Sequence, residues 1–120
     1  KEANIKLIKN TENIAKSNEV IIEDSQQVIS KNIAREMQKV MTQVVEKGTA
    51  KNAKVENQKI AGKTGTAEID SESKKTHAWF TAFTPVKNPS FAAVIFLEEG
   101  GVGGKNAAPL FKKMLFDKSY

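Results

Sequence analysis

The sequence predicts an α+β fold, an antiparallel sheet of about three strands in the order helix, strand, strand, strand, helix. Three observations predict it. Apolar residues Ile33, Met37, Val40, Met41, Val44 and Val45 recur at steps of three and four, the mark of one helical stripe. Three stretches of strand character follow, over residues 58–69, 77–84 and 91–97, with connections short enough for hairpins. A second helical pattern, with Leu110, Phe111, Met114 and Leu115 as its inner face, closes the chain.

Each element has a local reason. Residues 1–27 are the least defined; Ile5 to Lys9 and Val20 to Ile22 read as short strands around a polar turn. They form an N-terminal segment ahead of a subdomain over residues 28–120. The first helix runs over residues 32–47, with Ser30 as its N-cap and Gly48 as its stop. Met37 and Met41 are expected in the core, because helical spacing explains them without a ligand. Residues 49–57 form a polar connection. Strand alternation directs Trp79, Phe80 and Phe83 to the sheet core, and Pro85 ends the second strand. The last helix spans residues 106–116, with Asn106 as N-cap and Pro109 in the first turn.

At 120 residues the chain is one domain or part of one, and 39% hydrophobic with 28% charged residues is ordinary for a globular protein. No apolar run approaches the roughly 20 residues that span a bilayer, and the polar N-terminus lacks the apolar region of a signal peptide. The first residue is Lys1, so upstream sequence is expected. Absence of cysteine excludes disulfides and thiolate zinc sites, and fits an extracytoplasmic bacterial protein. The net charge of +5 is spread among acidic residues with no compact basic stripe, which argues against a nucleic-acid partner. It leaves room for weak attraction to an anionic wall or membrane.

The chemically richest stretch is Lys63-Thr64-Gly65-Thr66 on the first strand. A cation, two hydroxyls and a glycine together can hold an anionic group beside exposed backbone. Gly62-Lys63-Thr64 also matches the end of a phosphate-binding loop. Asn57 stands where that loop needs its first glycine, and no apolar helix follows to receive phosphate. His77 is the only histidine and has no second His or Cys for a metal, so a structural position is expected. Glu98 and Glu99 lie in a loop where solvation dominates acid–base tuning. The cluster from Gly100 to Gly104 reads as a strand-to-helix connector, although such glycines could also cradle an anion.

Around the Lys-Thr-Gly motif stand Gly48-Thr49-Ala50 at a helix end, His77-Ala78-Trp79-Phe80-Thr81-Ala82-Phe83-Thr84-Pro85, Asn88-Pro89, the glycine cluster and Ala107-Ala108-Pro109. In this order and spacing the chain resembles the C-terminal part of a penicillin-binding protein transpeptidase domain of class B, from the penicillin-binding and serine β-lactamase superfamily. The resemblance covers residues 28–115; Ala82 departs from it, standing where the family usually has glycine. The family's S-x-x-K and S-x-N segments are missing. Ser71-Glu72-Ser73-Lys74 matches the first spacing but follows the motif in a polar loop, whereas a Ser and Lys one turn apart share a face only on a helix. Ser30-Lys31-Asn32 matches the second but opens a helix.

The resemblance implies a partial transpeptidase fold and a site role for Lys63, Thr64, Gly65 and Thr66. The Thr64 and Thr66 hydroxyls would hold the carboxylate of an acyl-D-Ala-D-Ala stem peptide or β-lactam. Lys63 would supply positive field, and the Thr66 backbone N–H would be one oxyanion donor. No cofactor or metal is implied. The chain alone is expected to be inert, its nucleophile lying in the missing N-terminal part of the domain. The parent protein would be anchored at the extracytoplasmic face of a bacterial membrane. Without the N-terminal strands, residues 91–97 would leave an apolar edge open to a homodimer or domain swap. The alternative is a stand-alone binding or assembly module with the same partial fold and no catalysis.

Overall fold

The computed structural model describes residues 27–116. The chain divides into two compact units, Lys1–Ser30 and Lys31–Tyr120. The strands expected at residues 5–9 and 20–22 lie outside the described residues. In the second unit, helix α1 (Lys31–Glu46) leads through a 3₁₀ turn (Lys51–Ala53) to strand β1 (Ala61–Glu68). Strands β2 (Thr76–Thr84) and β3 (Phe91–Leu97) follow, then a π turn (Gly103–Ala107) and helix α2 (Ala108–Phe116). The α+β class and the element order are as expected.

The sheet is antiparallel in the order β1-β2-β3, so among the described residues β1 and β3 are its two edges. One face carries Ala78, Phe80, Ala82 and Thr84 of β2, all buried, and meets Val45 of α1 and Phe111 of α2. The Phe80 and Phe111 rings meet edge-on at 5.6 Å, a favoured aromatic geometry. The opposite face carries Trp79, Thr81 and Phe83 with Val94 and Phe96 of β3, and here Trp79, Val94 and Phe96 are 40%, 63% and 45% exposed.

Alternation therefore corrects one expectation. Of Trp79, Phe80 and Phe83, only Phe80 enters the core. Neighbours on a strand point to opposite faces, so Trp79 and Phe80 cannot share one. Trp79 instead stacks on Phe96 across the strand pair, with ring centroids 4.4 Å apart.

The apolar stripe of α1 is also corrected. Val45 is buried, but Ile33, Met37 and Val40 are 55%, 49% and 58% exposed. The helix turns a different face inward, with Ala34, Gln38, Met41 and Thr42 at least half-buried. From this face Gln38 Nε2 donates to the Val86 carbonyl at 3.3 Å. The helix ends at Gly48 as expected, but by close approach and not by a left-handed turn. Its N–H bonds to the carbonyls of Gln43 and Val44, and a Cβ would lie 2.9 Å from Val44 Cα.

Two boundaries move. Residues 58–60 precede β1 instead of belonging to it, because side chains take over there. Gln58 Nε2 donates to Thr84 Oγ1, which donates to the Lys59 carbonyl, both at 2.9 Å. The last helix begins at Ala108, two residues later than expected, because the π turn intervenes. Asn106 is not its N-cap; its amide reaches back to the Gly100 carbonyl.

Candidate functional site

Strand β1 places Lys63 to Thr66 along a sheet edge, paired residue by residue with Thr81 to Ala78. Residues opposite each other across the pair face the same side. Thr64 and Thr66 thus share the helix face with Phe80 and Ala78, while Lys63 and Gly65 lie on the open face with Thr81 and Trp79. The four residues are adjacent, but the strand separates the cation from the two hydroxyls. The Lys63 ammonium is exposed and donates to the Thr64 carbonyl at 2.6 Å, folding back toward the strand.

Both hydroxyls are held from the helix side. Thr64 Oγ1 lies 2.7 Å from Thr49 Oγ1, in the turn after α1. Thr66 Oγ1 accepts the Gly103 N–H at 3.2 Å. Gly103 lies flat on the sheet, where a Cβ would come within 3.0 Å of the carbonyl oxygens of Gly65 and Trp79. Gly65 is tight on the other face, with room for a Cβ only at 3.1 Å from Trp79 Cβ. Residue 103 must therefore be small for the loop to reach Thr66.

The sequence flagged Thr49 and the glycine cluster, but not their role as supports of Thr64 and Thr66. Nothing in one chain's spacing reveals which distant loop touches a strand. The glycines themselves were the available signal. They form the connector from β3 to α2, with Gly101 in the left-handed region at φ +76°.

Other candidates take quieter places. Ser71 and Ser73 lie in the turn after β1. Asp70 accepts from Ser73 N, Ser73 Oγ and Glu72 N at 2.6, 2.7 and 2.8 Å, and the Ser73 bonds hold its carboxyl below the usual carboxylate range. Ser71 and Lys74 therefore share no helix. His77 Nδ1 accepts the Glu99 N–H at 3.0 Å, and Lys75 pairs with the Glu99 carboxylate at 2.7 Å. Among the described residues no cluster of His, Cys, Asp and Glu could hold a metal ion. No described helix is long and apolar enough to cross a membrane.

The strand reading Lys-Thr-Gly-Thr is thus an edge, among the described residues, of a three-stranded antiparallel sheet with α1 and α2 packed on one face. The family model for the penicillin binding protein transpeptidase domain matches residues 3–115, and the chain belongs to that family. It is 39% identical over 82 residues to the peptidoglycan D,D-transpeptidase MrdA of Haemophilus influenzae, covering 57% of this chain and 13% of that protein. The transpeptidase domain of a D,D-transpeptidase (FtsI4) from Legionella pneumophila superposes with a TM-score of 0.66 at 30% identity, over 74% of this chain and 36% of that one. A ceftriaxone acyl-enzyme complex of penicillin-binding protein A from M. tuberculosis gives 0.66 at 28% identity, over 77% of this chain and 22% of that one. The chain thus spans about a third or less of the proteins it matches.

Proposed function

We propose that this chain supplies the Lys-Thr-Gly wall of a peptidoglycan D,D-transpeptidase active site, and that it is inert until the rest of the domain joins it. One observation carries the reading: Lys63, Thr64, Gly65 and Thr66 occupy a sheet edge on which no described residue pairs. A peptide or β-lactam laid along that edge would meet backbone N–H groups, with Lys63 drawing its carboxylate. Thr64 and Thr66 turn their hydroxyls from Thr49 and Gly103 toward the ligand when it arrives. The Thr66 N–H serves as one oxyanion donor, a contact worth roughly 3 kcal/mol in a transition state.

The nucleophile comes from elsewhere. Ser71 is in a turn, so it lacks the helical Lys partner one turn away that S-x-x-K requires. The completing segment bears the Ser and the proton acceptor. The open face of Trp79, Val94 and Phe96, with the edge of β3 on which no described residue pairs, gives such a segment apolar surface and backbone to bind. In its absence the same edge invites a second copy of the chain. The complete protein acts outside the bacterial membrane, where its stem-peptide substrate is.

Intact mass spectrometry after incubation with penicillin tests this. The chain alone remains unmodified. Coexpressed with the N-terminal part of a relative's transpeptidase domain, the assembly gains one penicillin mass, on the Ser of the added part. A covalent adduct on Ser71 overturns the reading. Failure of the assembled pair to acylate, although it forms, favours the non-catalytic binding module.

A further inference from the structure

We propose that His77 is a pH-sensitive positioning residue, whose neutral imidazole pins the start of the glycine connector to β2 and whose protonation releases it. The Nδ1 atom accepts the backbone N–H of Glu99 at 3.0 Å. Neutral imidazole with its proton on Nε2 offers a lone pair there, whereas imidazolium carries a hydrogen on both nitrogens. Protonation sets two donors face to face, and the bond is lost.

The bond matters because Glu99 is in an unfavourable conformation. Its φ is +47°, the left-handed region that a residue with a Cβ enters only when its surroundings hold it there. The holders are the His77 bond, the Lys75–Glu99 ion pair, and the turn closed by Gly100 N–H on the Leu97 carbonyl at 3.1 Å. The connector then runs through Gly101, whose N–H reaches the Thr76 carbonyl at 3.0 Å and whose carbonyl accepts from Thr76 Oγ1 at 2.8 Å. Two residues on, Gly103 donates to Thr66. A short chain of contacts thus links the imidazole to the Thr66 hydroxyl.

Lys75 and Glu99 pair with each other in the neutral state, and their side chains are about half exposed. Glu98 precedes Glu99 in the same turn. On β1 the ring's partner is Ala67, followed by Glu68 opposite Thr76. From β3 its ring meets that of Phe96, at 5.1 Å between centroids. An imidazolium would draw the Glu99 carboxylate from Lys75 as the backbone N–H swings away. His77 is half-buried, so solvent protons reach it. Any effect on substrate rests on β1 being the substrate wall; the switch itself does not.

The test is ¹⁵N NMR of the full chain from pH 8 to 5. The Glu99 and Gly103 amide signals should move together, with the midpoint of the His77 ring signals. The protection of the Glu99 amide against hydrogen exchange should fall about tenfold, the worth of one ordinary hydrogen bond. His77→Asn keeps an acceptor at the Nδ1 position but cannot titrate, and holds the high-pH spectrum throughout. His77→Phe keeps a ring against Phe96 without an acceptor, and gives the low-pH spectrum at every pH. Glu99 and Gly103 signals that stay fixed from pH 8 to 5, or that still titrate in His77→Asn, overturn the proposal. These readouts need no ligand, so their failure is distinct from failure of the acylation test.

Discussion

The hydroxyls of Thr49 and Thr64 lie 2.7 Å apart, joining the turn that ends α1 to the middle of β1. Gly104 closes the same junction. A Cβ there would come within 3.0 Å of the Thr49 carbonyl oxygen and 3.6 Å from Thr64 Cγ2, and Asn52 Nδ2 donates to its carbonyl at 2.9 Å. The helix end, the strand and the connector to α2 therefore meet at one backbone contact that only glycine fits.

Gly104→Ala tests that junction. The obstructing atom is a backbone oxygen, so relief requires moving either the turn after α1 or the π turn. Overpacking of this kind costs about 1–3 kcal/mol, and Gly104→Ala should lower the urea midpoint accordingly. Gly65→Ala, where the new Cβ meets a side-chain carbon at 3.1 Å, should cost less. Equal midpoints for Gly104→Ala and the parent chain would show that the junction is loose.

Thr84 is the one buried polar residue among the described core, 1% exposed, and its hydroxyl both accepts from Gln58 and donates to the Lys59 carbonyl. Thr84→Val keeps the shape but strands both partners. The cost of leaving buried groups unpaired is about 1–3 kcal/mol. Adding Gln58→Leu removes one stranded group, so the double variant should be less destabilised than the sum of the singles. Chemical denaturation of the four proteins measures it; strict additivity would mean that the two side chains act independently.

Much of this architecture was legible because local chemistry and tertiary structure agree. The run from Phe91 to Leu97 is β3 without adjustment, and Pro85 closes β2 where its missing N–H requires. The misreadings have a common cause. Ile33, Met37 and Val40 are as apolar as Val45, and periodicity alone cannot tell which face a neighbour covers. Asn106 has an N-cap's chemistry, but the Gly100 carbonyl was a better partner than the helix end. The motif at residues 63–66 was visible from residue types. The separation of Lys63 from Thr64 and Thr66 needed only strand alternation. Their supports, Thr49 and Gly103, are 15 and 37 residues away in sequence and come together only through folding.

Glu46, at the end of α1, gives a pH dependence whose sign can be worked out. Its carboxylate accepts from Lys54 at 2.6 Å and Lys59 at 3.0 Å, tying the helix to the segment that leads into β1. The hydrogen bond from Lys54, then that from Lys59, lowers its pKa below the ordinary 4.5. A depressed value in the folded state means that the unfolded chain takes up the proton first as pH falls. The stabilisation is therefore complete above the ordinary carboxylate range, and is lost as pH falls through the lowered folded value. Glu46→Gln removes it at every pH. The parent chain should exceed Glu46→Gln in urea midpoint at pH 7, and the gap should narrow steadily between pH 5 and pH 3. Asp70 titrates in both proteins and cancels from the comparison. Since both lysines are more than half exposed, salt should narrow the gap at pH 7 as well. A gap that widens on acidification would mean that the carboxylate is strained where it sits, and that the two lysines only mask the strain.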